Sequence, residues 1–147
     1  MAKIVVGVDG SEDSKNAFRW AVEEARLRGA PVVALLAWET SLPPPDLTPA
    51  PPPDFAGFVS ELQDRALDSV AAVVREVVGE DATVTVEPAA VEGPPASVLI
   101  EAARDADLLV VGSRGHGGFA GLLLGSVSQQ LAQHAPCPLV IHRAGSG

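Results

Sequence analysis

Cysteine is nearly absent from this sequence, since Cys137 is the only one among 147 residues. A single thiol excludes an internal disulfide and a cysteine-based metal cluster, so we expect a reducing, cytoplasmic environment. Basic residues are also scarce: 10 Lys and Arg stand against 19 Asp and Glu, for a formal net charge of -9. Without a basic stripe such a chain repels polyanions, so we expect no DNA or RNA binding. A small nucleotide is still compatible, because a few backbone N–H groups can hold it locally.

Long apolar runs are missing as well. The longest lie around Pro31–Trp38 and Ala106–Val111, well under the roughly 20 residues that span a bilayer. The N-terminal MAKIVVGVDG turns acidic after a short apolar stretch, which is not the pattern of a signal peptide. We therefore expect no membrane segment. The length and the hydrophobic fraction of 47% predict one globular domain over residues 1–147.

Strand and helix patterns alternate along the chain. The β-branched run Lys3–Val8 predicts a buried strand, and helical spacing of apolar residues from Ser11 to Gly29 predicts a first helix. Ala82–Glu87 alternates valine and threonine, as an exposed edge strand does. Similar patterns predict strands at Val32–Trp38, Leu108–Val111 and Leu139–His142, and helices at Phe55–Val77, Ala96–Arg104 and Ser126–His134.

Five strands alternating with four helices predict an α/β fold: an open, Rossmann-like parallel sheet covered on both faces. Such sheets bind ligands at the carboxyl ends of their strands, where the strand order reverses. Segment Pro43–Pro53 carries seven prolines and predicts a stiff, extended loop. It is either a lid beside the site or a solvated connection.

A glycine-rich loop joins the fourth strand to the fourth helix. Its spacing, Gly-x2-Gly-x9-Gly-Ser from Gly112 to Ser126, allows the backbone to form a nest of N–H groups around an anion, for which a phosphate chain is the natural ligand. A Walker A loop is excluded, because the chain has no Gly-Lys-Ser/Thr. Arg114 and His116 contact phosphate or are only solvated. Ser128 is either a weaker phosphate contact or a surface residue.

Asp9 follows the first strand and is either a ligand residue or a turn former in Asp9-Gly10. As a ligand it would accept a ribose hydroxyl or assist a Mg²⁺ held mainly by phosphates. His134 and His142 do not pair with Cys137 at a recognisable ligand spacing, so no protein metal site is predicted.

The opening Val5-Val6-Gly7-Val8-Asp9-Gly10-Ser11, the glycine-rich loop and the ending from Leu124-Gly125-Ser126 to Pro138-Leu139-Val140 resemble the universal stress protein family in its ATP-binding branch. The resemblance implies a sheet of order 3-2-1-4-5, with Thr83 and Thr85 on an edge. It implies that the loop and Asp9 hold phosphates and ribose, and that backbone at Ala37 holds adenine. The predicted nucleotide contacts are Gly7, Asp9, Ala37, Gly112, Ser113, Arg114, Gly115, His116, Gly117, Gly118, Gly125, Ser126, Val127 and Ser128.

The leading hypothesis is a binding and regulatory module that holds ATP or a related adenine nucleotide and acts in stress physiology through an unidentified protein partner. The alternatives are a slow ATPase and a cyclic AMP-binding protein. No residue is an obvious general base, so no catalytic residue is predicted. A phosphorylation switch lacks the acidic cluster and the lysine it needs, and a dimerisation module with a vestigial loop is disfavoured by the intact glycines. The resemblance and the apolar last strand predict a homodimer that pairs through residues 138–143.

Overall fold

The computed structural model describes residues 3–40, 55–113 and 125–143. Segment Pro43–Pro53 and the predicted contacts Arg114, Gly115, His116, Gly117 and Gly118 lie outside these residues. The strands are β1 Ile4–Gly7, β2 Val32–Trp38, β3 Val86–Glu92, β4 Leu108–Gly112 and β5 Leu139–His142; the helices are α1 Glu12–Arg28, α2 Phe55–Val78, α3 Pro95–Ala103 and α4 Ser126–His134.

Helix α1 forms where the helical spacing predicts it. Ser11 is its N-cap, with the hydroxyl accepting from the Ser14 amide at 3.2 Å, which satisfies one of the amides left over in the first turn. Gly29 ends the helix at φ 63, a left-handed conformation that costs a residue without Cβ little. The predicted apolar face is buried in full: Ala17, Phe18, Ala21, Val22 and Ala25.

The five strands form one parallel sheet in the order β3-β2-β1-β4-β5, as expected. Alternate side chains of each strand point to opposite faces, so the sheet separates two apolar clusters. One cluster packs under α1 and α2 and contains Val6 and Val110. The other packs under α3 and α4 and contains Leu109 and Leu131. Helices α1 and α4 therefore reach the sheet from opposite faces.

The third strand is where the sequence prediction is wrong. The strand begins at Val86 and not at Ala82, so Thr83 and Thr85 precede the edge strand. The reason is a local turn: the Asp81 carboxylate accepts from the Thr83 amide at 2.9 Å and from its hydroxyl at 2.6 Å. Pro88 lies inside the strand opposite Ala34, which an edge strand tolerates because its outer N–H groups need no partner.

The turn that displaces β3 also carries an ion pair with α1. Arg26 bonds to Asp81 and to Glu23, and its Nε donates to the Thr83 hydroxyl at 3.0 Å. The Thr83 hydroxyl and then Arg26 hold the pKa of Asp81 well below its ordinary value of 3.8. The charged form of Asp81 is thereby favoured in the folded state.

This depressed pKa predicts a pH-dependent contribution to stability. A carboxylate whose pKa is lower in the folded than in the unfolded chain stabilises the fold above the unfolded value, and the contribution disappears as pH falls through the folded value. Asp81→Asn should therefore melt below the parent protein at pH 7, and the difference in Tm should shrink toward pH 3. Thermal unfolding across this range measures it. The exposed neighbour Glu80 supplies the control, Glu80→Gln; a constant difference for Asp81→Asn would contradict the prediction.

No helix in the described residues combines the length and the apolar composition that a membrane span requires.

Candidate functional site

Three strands end together at one edge of the sheet. The register pairs Val6 with Val110 and Gly7 with Leu35, so the carboxyl ends of β1, β2 and β4 lie side by side. The chain runs from β1 to β2 and β3 on one side and reaches β4 and β5 on the other, so the strand order reverses between β1 and β4. A crevice at such a reversal is the usual ligand site of a parallel α/β sheet.

The N-terminus of α4 lies at this reversal. Its N-cap is Gly125, with φ -73 and ψ 169 and no side chain to accept from the helix. The Gly125 amide donates to the Ser113 carbonyl at 2.7 Å, and the first intrahelical bond runs from the Gln129 amide to the Gly125 carbonyl at 3.0 Å. The helix geometry therefore leaves the amides of residues 126–128 without an intrahelical acceptor. Ser126 is exposed beside them.

Asp9 is exposed two residues beyond β1. Its Oδ1 accepts from the Ser11 amide at 2.9 Å and from the Ser11 hydroxyl at 2.5 Å, and its amide donates to the Ser14 hydroxyl at 3.2 Å. Gly10 has φ 85, which requires glycine-like freedom. These contacts confirm that Asp9 forms a turn. The turn leads into Ser11, the N-cap of α1. Its role toward a ligand stays a prediction.

Gly112 and Ser113, at the end of β4, contact the neighbouring elements β5, α1 and α4. The Ser113 amide donates to the His142 carbonyl at 3.0 Å on β5. The Ser113 hydroxyl contacts Asp13 Oδ2 at 3.3 Å. A Cβ on Gly112 would lie 2.8 Å from the same oxygen and 3.1 Å from the Asp13 backbone carbon. Glycine is therefore required here so that α1 can approach the end of β4.

Asp13 is a residue of this site that the sequence analysis missed. An acidic residue in the first turn of a helix is already explained by the helix dipole, so nothing in the pattern distinguishes Asp13 from Glu12. Only the packing of α1 against β4 places the Asp13 carboxylate beside Ser113, 100 residues further along the chain.

Ser128 is buried, with 4% exposure, so its interpretation as a surface residue is wrong. The reason is that its hydroxyl donates to the Gly112 carbonyl at 2.7 Å. Val127 packs half-buried against the apolar cluster under α3 and α4, so only its amide, which has no intrahelical acceptor, is available to a ligand at the start of α4.

Gly7 lies at the end of β1, and Ala37 lies near the end of β2. A Cβ on Gly7 would meet the Leu99 Cδ1 at 3.0 Å and the Val111 Cγ1 at 3.2 Å, so glycine here lets α3 pack on the sheet. Ala37 pairs with Val91 one residue before the end of β2, at the edge where the ligand is expected. The predicted roles of Gly7 and Ala37 toward a nucleotide stay predictions.

Metal-binding groups are sparse in the described part of the chain. Within residues 3–40, 55–113 and 125–143, no group of three or more His, Cys, Asp and Glu side chains could hold a metal ion. Cys137 is half-buried, and this burial raises the pKa of its thiol.

Sequence comparison relates this chain to a known family. The sequence model of the universal stress protein family matches residues 1–143. The chain belongs to the universal stress protein family. Two related universal stress proteins of Mycobacterium tuberculosis are Rv2005c, 36% identical over 95% of this chain and 47% of its own length, and Rv2624c, 33% identical over 98% and 49%. The chain thus spans about half the length of these curated relatives.

Solved structures of universal stress proteins share the fold. UspA from Lactobacillus plantarum superimposes with a TM-score of 0.77 at 24% identity, covering 97% of each chain. A universal stress protein in complex with cAMP has a TM-score of 0.67 at 29% identity, with 96% of each chain covered. A family member from Arabidopsis thaliana with AMP bound has a TM-score of 0.61 at 21% identity, covering 99% of this chain and 94% of its own.

Proposed function

We propose that this universal stress protein binds an adenine nucleotide at the carboxyl ends of β1, β2 and β4 and acts as a regulatory binding module. One observation carries the proposal: the first turn of α4, whose N-cap Gly125 has no side chain to accept from its amides, lies where the strand order reverses. Amides at a helix N-terminus together with the helix dipole stabilise a phosphate. The relative that is 29% identical and was solved with cAMP supports an adenine nucleotide as the ligand.

Phosphate and ribose are assigned by the chemistry that each region offers, and adenine is assigned by the resemblance to the family. Phosphate is expected at the amides of residues 126–128 and at the exposed Ser126 hydroxyl. The ribose is expected near Asp9, whose carboxylate accepts hydroxyl hydrogen bonds well, and adenine near the backbone of Ala37 at the end of β2. ATP, with Mg²⁺ bound mainly through its phosphates, and cyclic AMP are both candidate ligands.

Calorimetric titration of the purified protein tests the proposal. We expect saturable binding of at least one of ATP, AMP and cyclic AMP, with GTP as the matched control for base recognition. Repeating the ATP titration with and without Mg²⁺ separates a metal-assisted from a metal-free complex. Absence of binding by all three adenine nucleotides would contradict the proposal. Phosphate release measured on the same samples tests the expectation that hydrolysis is slow or absent.

The expected protein contact is a second copy of this chain. Strand β5 ends the sheet, and its residues Leu139–His142 are half-buried, so an apolar edge is available for pairing through residues 138–143. Edges of this kind are normally covered or paired. Light scattering at micromolar concentration distinguishes the dimer from a monomer.

A further inference from the structure

The peptide between Gly112 and Ser113 is held from both faces of the sheet. From the face of α4, the Ser128 hydroxyl donates to the Gly112 carbonyl at 2.7 Å. From the face of α1, Asp13 Oδ2 lies 3.3 Å from the Ser113 hydroxyl and against the Gly112 Cα, with no room for a Cβ. Two helices that do not share a face of the sheet thus meet at one peptide at the end of β4.

A serine hydroxyl has one hydrogen to donate. In Ser128 this hydrogen is directed to the Gly112 carbonyl, and the residue is buried, with 4% exposure. A phosphate oxygen accepts hydrogen bonds and donates none unless it is protonated, so the Ser128 hydroxyl cannot bind a phosphate while it makes this bond. If Ser128 contacts phosphate, as the sequence predicts, it does so through its amide and not through its hydroxyl.

The same peptide fixes the start of α4. The Ser113 carbonyl accepts from the Gly125 amide at 2.7 Å, and Gly125 is the N-cap that precedes the amides of residues 126–128, which have no intrahelical acceptor. A displacement of the Gly112–Ser113 peptide is transmitted through this bond to the first turn of α4. Because hydrogen bonds weaken steeply with distance and angle, the amides must be held in place to bind an anion well.

We propose that Asp13 and Ser128 are positioning residues for phosphate recognition: they clamp the Gly112–Ser113 peptide and so orient the first turn of α4. The inference rests on the proposed nucleotide binding. It assigns a role in affinity to two side chains that act through a backbone peptide, one on each face of the sheet.

The first test compares a phosphorylated with an unphosphorylated ligand. Displacement of a fluorescent ATP analogue gives affinities for AMP and for adenosine. Ser128→Ala should bind AMP about two- to tenfold more weakly than the parent, the equivalent of one lost hydrogen bond, while adenosine affinity changes less than twofold. Equal losses for AMP and adenosine, or an unchanged AMP affinity in the folded variant, would overturn the proposal.

The second test uses a pair of variants at Asp13. Asp13→Ala and Asp13→Asn both remove the charge, but only asparagine keeps an oxygen that can accept from the Ser113 hydroxyl. Asp13→Ala should therefore bind AMP about two- to tenfold more weakly than Asp13→Asn, with adenosine again unaffected. Glu12→Ala, an exposed acidic neighbour in the same turn, should leave both affinities unchanged. Equal AMP affinities for the two Asp13 variants would refute the clamp.

A double variant separates one clamp from two unrelated effects. Because both side chains act on one peptide, the loss of AMP affinity in Ser128→Ala with Asp13→Ala should be smaller than the product of the single losses. A purely multiplicative loss would contradict a shared mechanism. If Ser128→Ala does not fold, as judged by circular dichroism, the Asp13 pair decides the question alone. A parent protein that binds no adenine nucleotide would instead refute the proposed function, and the clamp with it.

Discussion

Gly125→Val is expected to lose at least tenfold in nucleotide affinity, about 1.4 kcal/mol or more. Gly125 is the N-cap of α4, and a branched side chain there lies beside the amides of residues 126–128, where the phosphate is expected. The backbone itself tolerates valine, because φ -73 and ψ 169 are in the extended region that β-branched residues favour. The loss should therefore come from steric exclusion of the ligand. Calorimetry with the best adenine nucleotide measures it, and circular dichroism confirms the fold.

Three variants make this measurement specific. Gly125→Ala shares the poor capping of valine but has less bulk, so its affinity should lie between the parent and Gly125→Val. Ser126→Ala should lose less than Gly125→Val, since one hydroxyl hydrogen bond contributes roughly 0.5–1.5 kcal/mol and the amides remain. Gly29→Ala, at a left-handed helix end with open space around it, should lower stability alone. Unchanged affinity in folded Gly125→Val would remove the phosphate site from the start of α4.

Leu131→Ala is expected to cost about 2–5 kcal/mol of unfolding free energy. Leu131 is fully buried at 0% exposure, and the only other buried residue of α4 is Ser128. Truncating it removes the main apolar contact that holds α4 on the sheet and leaves a cavity among the residues under α3 and α4. Because the proposed phosphate amides belong to the same helix, nucleotide affinity should fall together with stability. Urea unfolding and calorimetry measure the two effects.

Leu27→Ala is the matched control for Leu131→Ala. The chemical change is the same, but Leu27 is 83% exposed on α1, so little apolar surface returns to water and no cavity forms. We expect a change within about 0.5 kcal/mol and an unaltered nucleotide affinity. A comparable loss of stability in both variants would show that burial under α4 does not explain the effect.

Apolar spacing in the sequence determined most of this fold. The β-branched run of β1, the helical period of α1 between Ser11 and Gly29, and the bounds of β2, α4 and β5 all follow from local patterns that the structure confirms. The reason is that burial on one face of a helix or on both faces of a central strand imposes a period on the chain. The start of α4 at Ser126 was visible because the glycine-rich loop ends there.

Tertiary structure decided what local patterns do not encode. Strand β3 begins at Val86 because Asp81 and Thr83 form a turn that is tied to Arg26 on α1, although the preceding residues alternate like a strand. Asp13 and Ser128 are separated by more than 100 positions in the sequence and meet at Gly112 only when two helices cover opposite faces of one sheet. Contacts between distant segments carry no local period, so they become visible only once the strands have been ordered and the helices packed against them.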